Sequence, residues 1–161
     1  MNRTSAAATA IMAAVLASTL SLVALQELPE GTGKDVTQRL CSIECHGLDK
    51  VVAERHSKSQ WGDSMANMRK EGAKGTEEEF AIMIRYLTMH LGVPIKINKA
   101  TAKQIDDVLI LEPGQADAIV KYREANGPFA DFSALMKVPG LDAKVMEEQQ
   151  GNINYVPPSV Q

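Results

Sequence analysis

Cys41-Ser42-Ile43-Glu44-Cys45-His46 places two thiols and an imidazole within six residues, and these cysteines are the only two in the chain. A cysteine pair followed at once by His is the chemistry of covalent c-type haem attachment: each thiol adds to a vinyl group and the imidazole supplies an axial nitrogen. The usual spacing has two residues between the thiols, whereas here there are three. On a helix that spacing still keeps both thiols on one face, because i and i+4 are neighbours. Two other readings exist. A disulfide between these positions is strained and leaves His46 idle. A zinc site needs a further ligand, from His56 or His90, and the paired spacing of a zinc ribbon is absent. Covalent haem uses all three side chains at once.

The N-terminus bears on the same motif. Met1-Asn2-Arg3 precedes an uncharged apolar run from Ala6 to Leu25. One basic residue and a long apolar stretch read as an export signal, cleaved near Ala24 or kept as an N-terminal membrane anchor. In both cases Glu27 onward lies in the periplasm or another extracytoplasmic space, with a membrane as partner only if the segment is retained. That compartment normally oxidises free thiol pairs, and it is also where c-type haem is attached.

Charge excludes one class of surface. The chain has a formal net charge of −3. Residues 27–94 carry 11 acids against 9 bases, and residues 95–161 carry 9 against 7. Neither half has the basic excess of a phosphate-binding face.

Pro94 marks the boundary between two small units. Before it, three helical pieces are expected: Val36 to Cys45, Ser59 to Lys70, and Thr76 to Leu91. The second puts Trp61, Met65 and Met68 on one face. The third opens with the capping box of Thr76 and Glu79 and buries Phe80, Met83, Ile84, Leu87 and Leu91. Residues 33 to 93, with Cys41, Cys45 and His46 early, Met68 in the middle and Tyr86-Leu87 in the final helix, resemble a small class I cytochrome c. The resemblance implies one covalent haem c, His46 and Met68 as iron ligands, and Trp61 against the haem edge. Met65, His56 and His90 are the alternative distal ligands, and Met stripes at helical spacing are also ordinary core. A unit this short is poor in apolar residues, so a haem would complete its core.

After Pro94 the sequence reads as helix pairs. They are Thr101 to Leu109, a helix from Pro113 to a stop at Asn126-Gly127-Pro128, a short piece at Ser133 to Val138, and a last helix capped by Asp142. Ile97-Asn98-Lys99-Ala100-Thr101, Ala118-Ile119-Val120-Lys121-Tyr122-Arg123, Asn126-Gly127-Pro128-Phe129 and Val138-Pro139-Gly140 resemble a tandem helix-hairpin-helix domain of the bacterial competence DNA-receptor type, over about residues 95 to 155. Such hairpins hold a phosphate on backbone N–H groups, with Gly-apolar-Gly in each hairpin. This chain has Ile110-Leu111-Glu112 in the first and Gly140-Leu141-Asp142 in the second, so carboxylates stand where a phosphate would sit. The small extrinsic subunit of photosystem II has this fold and serves as a docking piece.

The expectation is therefore an all-α protein with a signal or anchor at 1–26, a monohaem domain at 27–94 and a helix-hairpin-helix domain at 95–161. It is read as a one-electron carrier rather than an enzyme, docking to a redox partner protein. DNA binding around a structural or regulatory haem is the alternative, disfavoured by the acidic hairpins.

Overall fold

The computed structural model describes residues 27–42 and 47–156. The apolar run from Ala6 to Leu25 and residues Ile43, Glu44, Cys45 and His46 lie outside the described residues. The all-α expectation holds. The helices are α1 (Lys34–Ser42), α2 (Leu48–Ala53), α3 (Lys58–Lys70), α4 (Glu77–His90), α5 (Ala102–Val108), α6 (Gln115–Asn126), α7 (Phe132–Leu135) and α8 (Ala143–Glu148).

Helix starts follow from short polar side chains that satisfy the first backbone N–H groups. At α4, Glu79 N–H donates to Thr76 Oγ1 at 3.1 Å, and Thr76 N–H donates to Glu79 Oε2 at 2.8 Å. Ser57 with Gln60 and Thr101 with Gln104 form the same reciprocal pair at α3 and α5. Each such cap contributes about 1 kcal/mol. The cap at Ser57 starts α3 at Lys58, one residue before the sequence expectation, and α2 was not anticipated at all. Its six residues are too few to display a helical period, so only packing of the buried Val51 and Val52 identifies it.

Two cores result. In the first, Trp61 and Met65 of α3 meet Phe80, Met83 and Leu87 of α4, with Cys41 and Leu28 completing the cluster. In the second, Ile105, Leu109, Ile119, Leu135 and Met146 are almost wholly removed from water. Each large apolar side chain so buried contributes roughly 1.5–3 kcal/mol.

The stretch after Pro94 is not an open linker. Ile95–Lys96 (β1) pairs in parallel with Ile153–Asn154 (β2), in register Ile95 with Ile153 and Lys96 with Asn154. This pairing draws the end of the second unit back onto its beginning. The two units also grip each other. Ser59 N–H donates to Asp107 Oδ1 at 2.8 Å, and Ser59 Oγ donates to Asp107 Oδ2 at 2.9 Å. Asn152 Nδ2 donates to the carbonyls of Thr88 at 3.1 Å and Met89 at 2.9 Å. Those carbonyls belong to the last turn of α4, where no intrahelical donor remains.

Candidate haem-holding core and helix-hairpin-helix interface

The first core presents the sulfur and indole groups singled out above. Cys41 lies near the end of α1 and is 6% exposed, and its Sγ is 3.7 Å from Met83 Sδ. Burial pushes the Cys41 thiol up to about 11, so in this apolar setting it is a neutral thiol. Met65 is buried and Met68 is half-buried at the border of the same cluster. Cys45 and His46 lie outside the described residues, so the structure brings together Cys41, Trp61 and Met68 from the expected set.

Three polar side-chain atoms in this half are buried without a hydrogen-bond partner: Trp61 Nε1, Thr37 Oγ1 and His90 Nε2. Thr37 lies one turn before Cys41 on α1. Unsatisfied buried donors are uncommon in native cores because each costs about 1–3 kcal/mol. An apolar wall with an inward thiol and unpaired donors fits a group that has an apolar body and polar edges, as haem does. Thr37 was missed in the sequence, where a mid-helix Thr gives no signal.

The alternative histidine ligands each pack against an aromatic ring. His56 packs edge-on against Trp61 with ring centroids 4.6 Å apart, and its Nε2 is 3.5 Å from Glu54 Oε2. His90 stacks at a tilt on Tyr86, with centroids again 4.6 Å apart. Among the described residues no group of three or more His, Cys, Asp or Glu side chains could hold a metal ion.

The hairpins of the second unit are built from α5 with α6 and from α7 with α8. Asn98 ties the pair together, donating to Phe129 O at 2.8 Å and accepting from Phe129 N–H at 2.8 Å. Arg123 Nη1 donates to Ile97 O. The two contacts explain the Ile97-Asn98 and Pro128-Phe129 patterns, which are far apart in sequence and adjacent in space.

Two backbone donors of the first hairpin, at Ile110 and Glu112, are already used. Ile110 N–H donates to Gln149 Oε1 at 2.8 Å, while Gln149 Nε2 returns a bond to Ile110 O at 3.0 Å. Glu112 N–H donates to Gln115 Oε1 at 2.8 Å. In the second hairpin, Val145 N–H donates to Asp142 Oδ1 at 3.0 Å, the self-capping expected from the sequence. Glu112 and Asp142 share a recess of about 90 Å³ with Arg85 of α4. Gln149, 1% exposed, was not singled out in the sequence. Its role depends on a fold that brings it 39 residues back along the chain to Ile110.

Comparison with known proteins agrees with the second unit. Residues 91–154 match the helix-hairpin-helix motif family. ComE operon protein 1 of Bacillus subtilis (strain 168) is 34% identical over 62 residues, which cover 38% of this chain and 30% of that protein. The mitochondrial transcription elongation factor of Danio rerio is 26% identical over 121 residues, or 72% of this chain and 30% of that protein. The chain thus spans under a third of either relative's length. No solved structure matches it. The family match begins at Leu91, four residues before the expected boundary, and includes Gly92, which forms a β-bridge with His56. Residues 91–154 are thus similar to the helix-hairpin-helix motif family, and they are held against a separate helical unit that contains Cys41, Trp61 and Met68.

Proposed function

We propose that this chain carries one covalently attached haem c and passes single electrons, with the helix-hairpin-helix domain as a rigid docking module for a redox partner. The observation that supports this most is the pairing of an inward Cys41 with the unpartnered Trp61 Nε1 in one apolar core. Cys41 and Cys45 would hold the group covalently, and His46 with Met68 would hold its iron. When bound, the group would supply reversible one-electron iron chemistry, and thioether ligation from Met68 would raise its potential. The chain's own residues exclude water through Trp61, Met65, Phe80 and Leu87. Asn152 and Asp107 fix the docking domain against that core.

The test is a pyridine haemochrome spectrum with intact mass, on protein exported by a host that matures c-type cytochromes. One haem that resists acid-acetone extraction is the expected result. A haem-free chain two mass units below the reduced form, with Cys41 and Cys45 joined, refutes the reading. Loss of the weak near-infrared band of ferric His/Met haem in Met68→Ala identifies the distal ligand.

The helix-hairpin-helix match favours a second reading: a nucleic-acid-binding protein outside the cytoplasm whose haem is structural or regulatory. The name of the Danio rerio relative refers to transcription, which also favours this reading over electron transfer. Weighing against it, the Ile110 and Glu112 N–H groups are internally bonded, and Glu112 and Asp142 would repel a phosphate. Retention of duplex DNA that weakens steeply with salt would establish the second reading, and no retention at low salt would remove it.

A further inference from the structure

A groove of about 420 Å³ opens where β1 turns into α5. Small-molecule sites run from roughly 300 to 1,000 Å³, so this one can enclose a ligand. Ile95, Ala100 and Val108, all buried, give it an apolar floor. Lys96, Lys99 and Gln104, all exposed, stand around that floor.

The backbone that carries the two lysines is fixed. Lys96 O accepts from Lys99 N–H at 2.9 Å and from Ala100 N–H at 3.0 Å, and Lys96 is held in register with Asn154 of β2. Nearby acids are already engaged. Asp107 borders the groove, but its two oxygens accept from Ser59 N–H and Ser59 Oγ, and Asp106 is paired with Lys58. Among the described residues neither Lys96 nor Lys99 has an ion-pair partner. Gln104 commits its Oε1 to the Thr101 cap, and its Nε2 remains a donor. In a chain of net charge −3, uncompensated ammonium groups beside apolar surface favour an anion with an apolar body.

We propose that this groove binds a small amphipathic anion. Lys96, Lys99 and Gln104 hold the charged head, and Ile95, Ala100 and Val108 cover the apolar body. Ammonium groups act as point charges without a planar fork, so a carboxylate and a phosphate head are both accommodated. A purely acidic peptide would meet the lysines and leave the floor uncovered. The groove shares no lining residue with the recess at Glu112 and Asp142, and none of the expected haem ligands lines it. It therefore stands whichever reading of the first core holds.

Nitrogen–proton NMR of the full chain, titrated with butanoate, hexanoate and octanoate, tests the site. Saturable shifts should appear at Lys96, Lys99, Ala100 and Val108, and affinity should rise roughly fourfold for each methylene buried. Lys96→Gln and Lys99→Gln, at exposed positions that leave the core intact, should each weaken octanoate about two- to fivefold. Octylamine, with the same body and a cationic head, should not bind in the groove. Octyl phosphate identifies the head: tighter binding than octanoate assigns a phosphate, weaker binding a carboxylate, and both support the site. No saturable shift with any of the three acids overturns the proposal. So does unchanged octanoate affinity in the double lysine variant, equal binding along the chain-length series, or saturation by an oligoglutamate peptide but not by octanoate.

Discussion

Replacing Asn152 with Ala should weaken both units at once, because one amide holds them together. Its Nδ2 serves the carbonyls of Thr88 and Met89, and the residue is 7% exposed. Each such bond contributes about 0.5–1.5 kcal/mol net, and a carbonyl stranded away from water costs about 1–3 kcal/mol. The end of α4 has no second donor for these oxygens, so the expected loss is about 2–4 kcal/mol. For a folded body of this size that lowers Tm by roughly 2–4 °C per kcal/mol. Urea unfolding followed by far-ultraviolet circular dichroism measures the loss, with the slope reporting whether the units still unfold together. Asn152→Asp should cost more than Ala at neutral pH, since a carboxylate then faces two carbonyl oxygens, and should recover as acid restores a donor. A loss below about 0.5 kcal/mol in Asn152→Ala, with an unchanged slope, would refute the reasoning.

Gly92→Ala should be destabilising by at least about 1–3 kcal/mol in the same assay, because the new methyl would collide with Thr88 O and lie 2.6 Å from Asn152 Nδ2. Thr76→Ala should cost about 1 kcal/mol of helix capping. In the wild type, the Thr76 backbone N–H and Arg39 hold the Glu79 carboxyl below its usual 4.5, so its contribution is present above that value and fades as pH falls through the folded-state value. The acid limb of a stability–pH profile should therefore be shallower in Glu79→Gln, which removes the titrating carboxyl. Leu135→Ala, at a side chain with 0% exposure, should cost about 2–5 kcal/mol in urea unfolding.

Much of the helix pattern was legible because its causes are local. Thr76 and Glu79, or Asp142 and Val145, interact within three residues, so a reader of the sequence meets both partners together. The stripe Phe80, Met83, Leu87 likewise announces one buried face, and all three residues are buried. The strand pair and the Gln149 bond to Ile110 were not legible, because their partners come from distant parts of the chain.

The sequence by itself determined the all-α class, the capped helix starts at Thr76, Thr101 and Asp142, and the apolar stripe of α4. Local hydrogen bonding and apolar period settle such features before the chain is compact. Only the tertiary structure decided that Cys41 faces Met83 and that Trp61 Nε1 is left without a partner. It also decided that Gln115 and Gln149 occupy the hairpin N–H groups, and that Asn152 closes the end of α4. These outcomes depend on which orphaned donor or acceptor meets which distant side chain when the cores close, and no local spacing encodes that meeting.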